Sequence, residues 1–249
     1  MVTRRLKSMQ SSGRSNLSGT RVSNEILNRI PAREFDLIRP HLEFVKLSSH
    51  LRLNEPDQKI EAAYFPNSGM ISLVIVMSTG RAVEVGVTGR EGFAGAPAAA
   101  GVARSPVREI VQVPGEGFYI RVKALHQVMK SAPLLNGLLS QYSVLLAMQM
   151  AQTAACNRLH HVESRLSRWL LMTEDRVQEE YLAITHDFLA EMLGTDRPSV
   201  SLAAARLQRK GLIQYKRAAV KIINRAHLEL ASCECYAAVK KFNRQLGLV

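Results

Sequence analysis

The chain has 249 residues, 47% of them hydrophobic, which is enough for one large domain or two modest ones with their own cores. No apolar run approaches the length of a membrane helix, and the basic start lacks an apolar signal core, so neither membrane insertion nor secretion is expected. The net charge of +12 favours an anionic partner, and the three cysteines (Cys156, Cys233, Cys235) give no disulfide framework and point to a reducing cytoplasm.

Residues 1–21 are rich in Arg, Ser and Gly, carry five basic residues and no acid, and read as a disordered basic tail. From Asn24 to Phe44 a helical stretch is expected. The period then changes to short β-type runs at Ala63–Phe65, Ile71–Met77, Ala82–Val87, Ile110–Val113 and Phe118–Val122. Ser78-Thr79-Gly80 marks one turn, and Pro114-Gly115-Glu116-Gly117 gives a second hairpin signal. Short strands at regular spacing predict an antiparallel barrel or sandwich over residues 22–124.

Residues 125–176 turn helical, interrupted only by Pro133 and Gly137. Leu138, Tyr142, Leu145, Gln149, Gln152, Cys156 and Leu159 alternate four and three apart, which is a coiled-coil spacing with two glutamines in its middle. Two readings fit: packing on the chain's own barrel, or a dimer seam with a second copy. The seam is preferred, because helix-turn-helix proteins that read two-part sites work as dimers.

The last segment, 177–249, holds the strongest motif, ITHDFLAEMLGTDRPSVSLAAARLQRKGLIQYKRAAVKII. Thr185 and Asp196 suit helix N-caps, Gly194 and Gly211 suit helix ends, and Pro198 suits a first turn. Val200, Ala203, Ala204 and Leu207 form one apolar face, which leaves Arg197, Ser199, Ser201, Leu202 and Ala205 on the open side. Gln214 to Ile223 supplies a β-hairpin wing. This is a winged helix-turn-helix, which sets its second helix in the major groove. Residues 185–225 carry +5, against +1 over residues 22–184, and such a basic patch binds phosphate by releasing counterions.

A barrel, a long helix and a winged helix-turn-helix in this order resemble the Crp/Fnr superfamily of bacterial transcription regulators. ITHDFLAEMLGTDRPSVSLAAARLQRKGLI carries the family's DNA-binding signature. TAACNRLHHVESRLSRWLLMTEDR and CECY are similar to a subgroup with a degenerate cyclic-nucleotide cassette and no established effector. The resemblance implies an α+β chain: a cyclic-nucleotide-binding-like jelly-roll barrel, a dimerisation helix and a winged domain. It further implies a homodimer on double-stranded DNA, with RNA polymerase as a second partner. By the same resemblance Arg197 contacts guanine, Thr185, Thr195, Pro198, Ser199, Ser201, Leu202 and Arg206 line the DNA, and Lys210, Lys216 and Arg217 hold its backbone. Pro198 and Leu202 replace a glutamate and an arginine common in the family, so a different operator is expected.

The resemblance also places an effector pocket at Gly95, Ala96, Arg104 and Ser105. Arg104-Ser105 matches the phosphate-binding pair, whereas Ala96 stands where the ribose-binding glutamate belongs, which argues against a cyclic nucleotide. With no cysteine before Cys156, an iron–sulfur cluster is not expected, nor is haem. Cys233-Glu-Cys235 is too tightly spaced for an ordinary zinc pair and His160-His161 shows no partner pattern, so no metal site is expected. The chain lacks a nucleophile elbow, a Walker loop and an HExxH motif, so catalysis is not expected. The competing reading is a ligand-binding signalling module whose helix-turn-helix makes protein contacts.

Overall fold

The computed structural model describes residues 13–177, 179–216, 219–245 and 247. Helices α1 (Glu25–Arg29) and α2 (Ala32–Ile38) and a single 3-10 turn (Arg39–His41) lead into the barrel. Buried Asn24 caps α1 by accepting from the Leu27 N–H, while its Nδ2 donates to the carbonyls of Pro66 and Gly92. One side chain thus ties the entry helix to the sheet. Residues 13–21 are not disordered as expected. Ser15 and Arg21 form an antiparallel bridge, and Arg14 donates to the Leu27 and Ile30 carbonyls. A helix end leaves such carbonyls without internal partners, and the guanidinium fills that role. The rest of the expected tail, 1–12, lies outside the described residues.

Seven antiparallel strands build two sheets. One has the order β1-β7-β3 (Glu43–Leu47, Gly115–Arg121, Ala62–Pro66). The other has the order β2-β6-β4-β5 (Arg52–Asn54, Arg108–Val113, Met70–Val76, Ala82–Thr88). The turn at Ser78–Gly80 joins β4 to β5 as expected, with the Met77 N–H donating to the Arg81 carbonyl. The second hairpin does not form. β6 pairs with β2 and β4, and β7 with β1 and β3, so Pro114–Gly117 carries the chain from one sheet to the other. Its glycines serve close approach: a Cβ on Gly115 would lie 2.3 Å from the Ser68 carbonyl oxygen, and one on Gly117 2.4 Å from that of Phe65. Between the sheets lie Phe65, Phe93 and Phe118, all fully buried.

After α3 (Ala96–Ala99) and the two sheets come α4 (Val122–Ser131), α5 (Pro133–Leu159) and α6 (Val162–Glu174). The stretch expected to hold a dimerisation helix and a hinge is thus three helices, with breaks at Ala132–Pro133 and at His160. Pro133 opens a new helix in its first turn, and His160 is extended at φ −110° and ψ 147°.

The face of α5 expected to be a dimer seam is occupied within the chain. Tyr142 and Leu145 are buried, with Leu138 packed beside the barrel core and the Tyr142 hydroxyl donating to Thr88 Oγ1. Gln149 accepts the Val87 N–H of β5 at 2.8 Å, and Gln152 donates to Cys235 Sγ. Cys156 is fully buried beside Cys233. Leu138 and Tyr142 pack into the barrel core and Gln152 and Cys156 meet Cys235 and Cys233, so the packing reading holds for these, while Leu159 is exposed. One residue back, the same four-three spacing falls on Gln141, Val144, Met148, Ala151, Ala155 and Arg158, all exposed.

The chain ends in β8 (Leu182–Ala183), α7 (His186–Leu193), α8 (Arg197–Arg209), β9 (Ile213–Lys216), β10 (Ala219–Ile222), α9 (Arg225–Ala231) and α10 (Cys235–Gln245). β8, β10 and β9 make a small sheet in that order. A single core runs from Met70, Val74 and Val87 of the barrel to Trp169, Leu189, Val200 and Leu207. Across this junction Trp169 donates to Glu84 at 2.9 Å and Arg176 pairs with Glu91 at 2.7 Å, all four side chains buried.

Candidate nucleic-acid interface

α7 and α8 take their geometry from three local devices. Thr185 Oγ1 accepts the Phe188 N–H, and Asp196 accepts the N–H of Ser199, so both helices begin on side-chain caps. Between them Gly194 sits in the left-handed region at φ 58° and ends α7. Glycine reaches that conformation without a Cβ penalty, so the chain turns sharply into α8. Val200, Ala203, Ala204 and Leu207 are buried toward α7 and α6, which fixes the opposite face of α8 outward.

That outward face carries Pro198, Leu202, Ala205 and Arg209, with Arg197 and Arg206 on its flanks. Arg197 is exposed and pairs with Asp187 at 3.4 Å, and both partners lie in solvent. Such a contact between exposed partners is weak. Leu202 is 51% exposed, an apolar side chain on the outward face.

Other expected contact residues are engaged inside the protein. Ser199 Oγ donates to Asp196 at 3.0 Å, and Ser201 Oγ lies 2.9 Å from His186 Nδ1. Burial and then the nearby Arg197 charge hold His186 below its usual range, and its ring lies tilted against the Tyr215 ring, 4.3 Å between centroids. Lys210 and Arg206 both reach Glu163 on α6, at 2.5 and 3.9 Å, which clamps α8 to the helix behind it. Thr195 is half-buried and donates its N–H to the Ala190 carbonyl. Lys216 is exposed on the wing, and Arg217 lies outside the described residues. Arg209 was missed by the sequence reading. It lies seven residues after Leu202, hence on the same face, and that spacing was the available signal.

The four residues expected to form an effector pocket each have other engagements within the protein. Gly95 caps α3 and donates its N–H to Glu109, and Ala96 is buried in the barrel core. Arg104 is exposed and donates 2.5 Å to the Asp57 carbonyl, while buried Ser105 bonds Val107. The buried Glu109 carboxyl, which also accepts from Asn54, occupies the amide at the start of α3 that an anion would need. A cleft of about 780 Å³ opens on the barrel between Leu53, Lys59, Tyr64, Tyr119, Arg121 and His126, and none of the four lines it.

No helix is long and apolar enough to cross a membrane among the described residues. The cysteines, in contrast to expectation, come together: Cys156, Cys233, Cys235 and His160 present ligand atoms that all lie within 4.8 Å of one another.

Comparisons with known proteins agree with this geometry. Residues 164–231 match the Crp-like helix-turn-helix domain. No curated protein sequence matches the chain. Among solved structures, the chain is similar to the c-di-GMP-responsive global regulator CLP of Xanthomonas campestris, with a TM-score of 0.64 and 17% identity over 77% of this chain and 99% of that one. It is also similar to FixK2 of Bradyrhizobium japonicum, with a TM-score of 0.62 and 13% identity over 77% and 98%. A CRP-family transcriptional regulator of Thermus thermophilus gives 0.61 and 18% over 76% and 96%. At these identities the likeness is one of fold.

Proposed function

We infer, for a chain that carries a Crp-like helix-turn-helix domain on the Crp/Fnr fold, that it is a DNA-binding transcription regulator. The observation that carries this reading is the outward face of α8. Its caps and core pin the helix, and its outer side presents Arg197, Leu202 and Arg209 on a segment, 185–225, that carries +5. Arg197 reads a guanine by donating to O6 and N7, a contact that discriminates by about 1–3 kcal/mol. Leu202 contributes an apolar contact, and Lys216 and Arg217 hold phosphates. Ser199, Ser201 and Lys210 act instead by positioning α8.

The working unit is a homodimer. Its seam is the exposed stripe Gln141, Val144, Met148, Ala151 and Ala155, with Leu134 and Leu159 near the ends of α5. Val144 is 60% exposed and Leu159 73% exposed, apolar area that a second α5 would cover. Small alanines permit close helix approach. Two copies would present their α8 helices to half-sites about 34 Å apart. The protein binds rather than catalyses, works in the cytoplasm where the DNA is, and at a promoter meets RNA polymerase.

Fluorescence anisotropy against promoter fragments at rising salt tests the reading. Affinity should fall steeply, with log K declining by about 0.9 per phosphate neutralised for each unit of log salt. Binding that ignores salt and sequence would contradict it.

A further inference from the structure

We propose that Cys156, His160, Cys233 and Cys235 form a zinc-class metal site that joins the end of α5 to the start of α10. Cys156 and His160 stand one helical turn apart where α5 ends, and Cys233 and Cys235 flank the entry to α10. Cys156 Sγ and Cys233 Sγ are 3.5 Å apart, and Cys235 Sγ is 3.6 Å from His160 Nδ1. A tetrahedral ion with metal–sulfur bonds near 2.3 Å and metal–nitrogen bonds near 2.0–2.1 Å requires edges of about 3.8 Å between sulfurs and about 3.6 Å from sulfur to nitrogen. Two of the six edges therefore already match such a tetrahedron, and the other four need shorten by no more than about 1 Å to close on an ion. All four lying within 4.8 Å of one another leaves room for one ion and not for a multi-iron cluster.

The surroundings fit a metal as well. His160 Nε2 lies 3.2 Å from the Glu234 carboxylate, so that nitrogen carries the proton and Nδ1 keeps its lone pair toward the three sulfurs. A carboxylate behind a ligating histidine orients the ring and raises its basicity. Gln152 Nε2 donates to Cys235 Sγ at 3.0 Å, as a donor to a thiolate would. The three cysteines are buried, which suits a closed structural site. Three thiolates around a divalent ion carry one net negative charge, and two buried guanidiniums, Arg165 and Arg168, lie close enough to act on these thiols. Binding releases the thiol protons to solvent and needs no oxidant.

The test uses the full-length protein, reduced and metal-free, titrated with Co²⁺ and then with Zn²⁺. One Co²⁺ per chain should bind with the visible bands of a tetrahedral cobalt thiolate, and Zn²⁺ should displace it. Cys235→Ser should lose that spectrum. Glu234 is exposed, so Glu234→Gln should fold normally and weaken metal affinity by about 10–100-fold. Three titratable thiols with no cobalt bands, or a Cys156–Cys233 disulfide in protein kept under reductant, would overturn the site. So would equal binding by wild type and Cys235→Ser, since the ion would then sit elsewhere.

Discussion

At the scale of the residue, the side chains that decide this protein's behaviour are those whose surroundings contradict their chemistry. Glu84 is the clearest. Burial, only partly offset by the Ser72 and Trp169 hydrogen bonds and the Arg168 charge, raises its carboxyl from 4.5 to about 7. The folded state thus keeps a proton that the unfolded chain gives up near pH 4.5. The resulting stability is complete below about pH 4.5, declines as pH rises through 7, and levels off above it. The amount at stake is about 3 kcal/mol as an order of magnitude. Glu84→Gln, which keeps an acceptor for Trp169, should flatten thermal stability between pH 5 and 8 and raise the Tm at pH 8. An unchanged pH profile, followed by differential scanning calorimetry, would sink this account of the junction.

At the scale of the element, α5 shows both what the sequence told and what it withheld. Its length and apolar character were legible, and so was a four-three spacing. The helix, however, carries two such stripes one residue apart. The bulky one (Leu138, Tyr142) packs into the barrel core, with Leu145 buried beyond it, and the one of Val144, Met148, Ala151 and Ala155 faces out. Periodicity alone does not say which stripe meets the chain's own sheet, because that depends on the barrel's volume requirement. Val144→Glu and Met148→Glu together should convert the dimer to monomer in light scattering with little loss of monomer stability, since neither side chain lies in the core. A dimer that survives both would move the interface elsewhere. The helix-turn-helix was far easier to read: Thr185, Asp196 and Gly194 are local signals, and each does locally what its chemistry predicts. Strands β1 and β2 escaped notice because EFVKL is mostly exposed and RLN is only three residues long. The metal-ligand cluster escaped because its two halves stand 77 residues apart, and only the docking of α10 on α5 joins them.

At the scale of the whole molecule, one continuous core links barrel and reading head through Trp169–Glu84 and Arg176–Glu91, while the proposed ion would pin α10 to α5 from another side. The reading head is therefore held by the junction with the barrel and by the break at His160; α6 packs on α8 directly, and α10 packs on α5 and α6. The central claim is that α8 reads sequence through Arg197. Its most direct test is to select the preferred DNA sites of wild type and Arg197→Ala from a random pool and to measure both proteins' affinities for the wild-type site. The account predicts that the variant loses about 1–3 kcal/mol on that site and relaxes its preference at one guanine in each half-site. An unchanged selected sequence with unchanged affinity would contradict it.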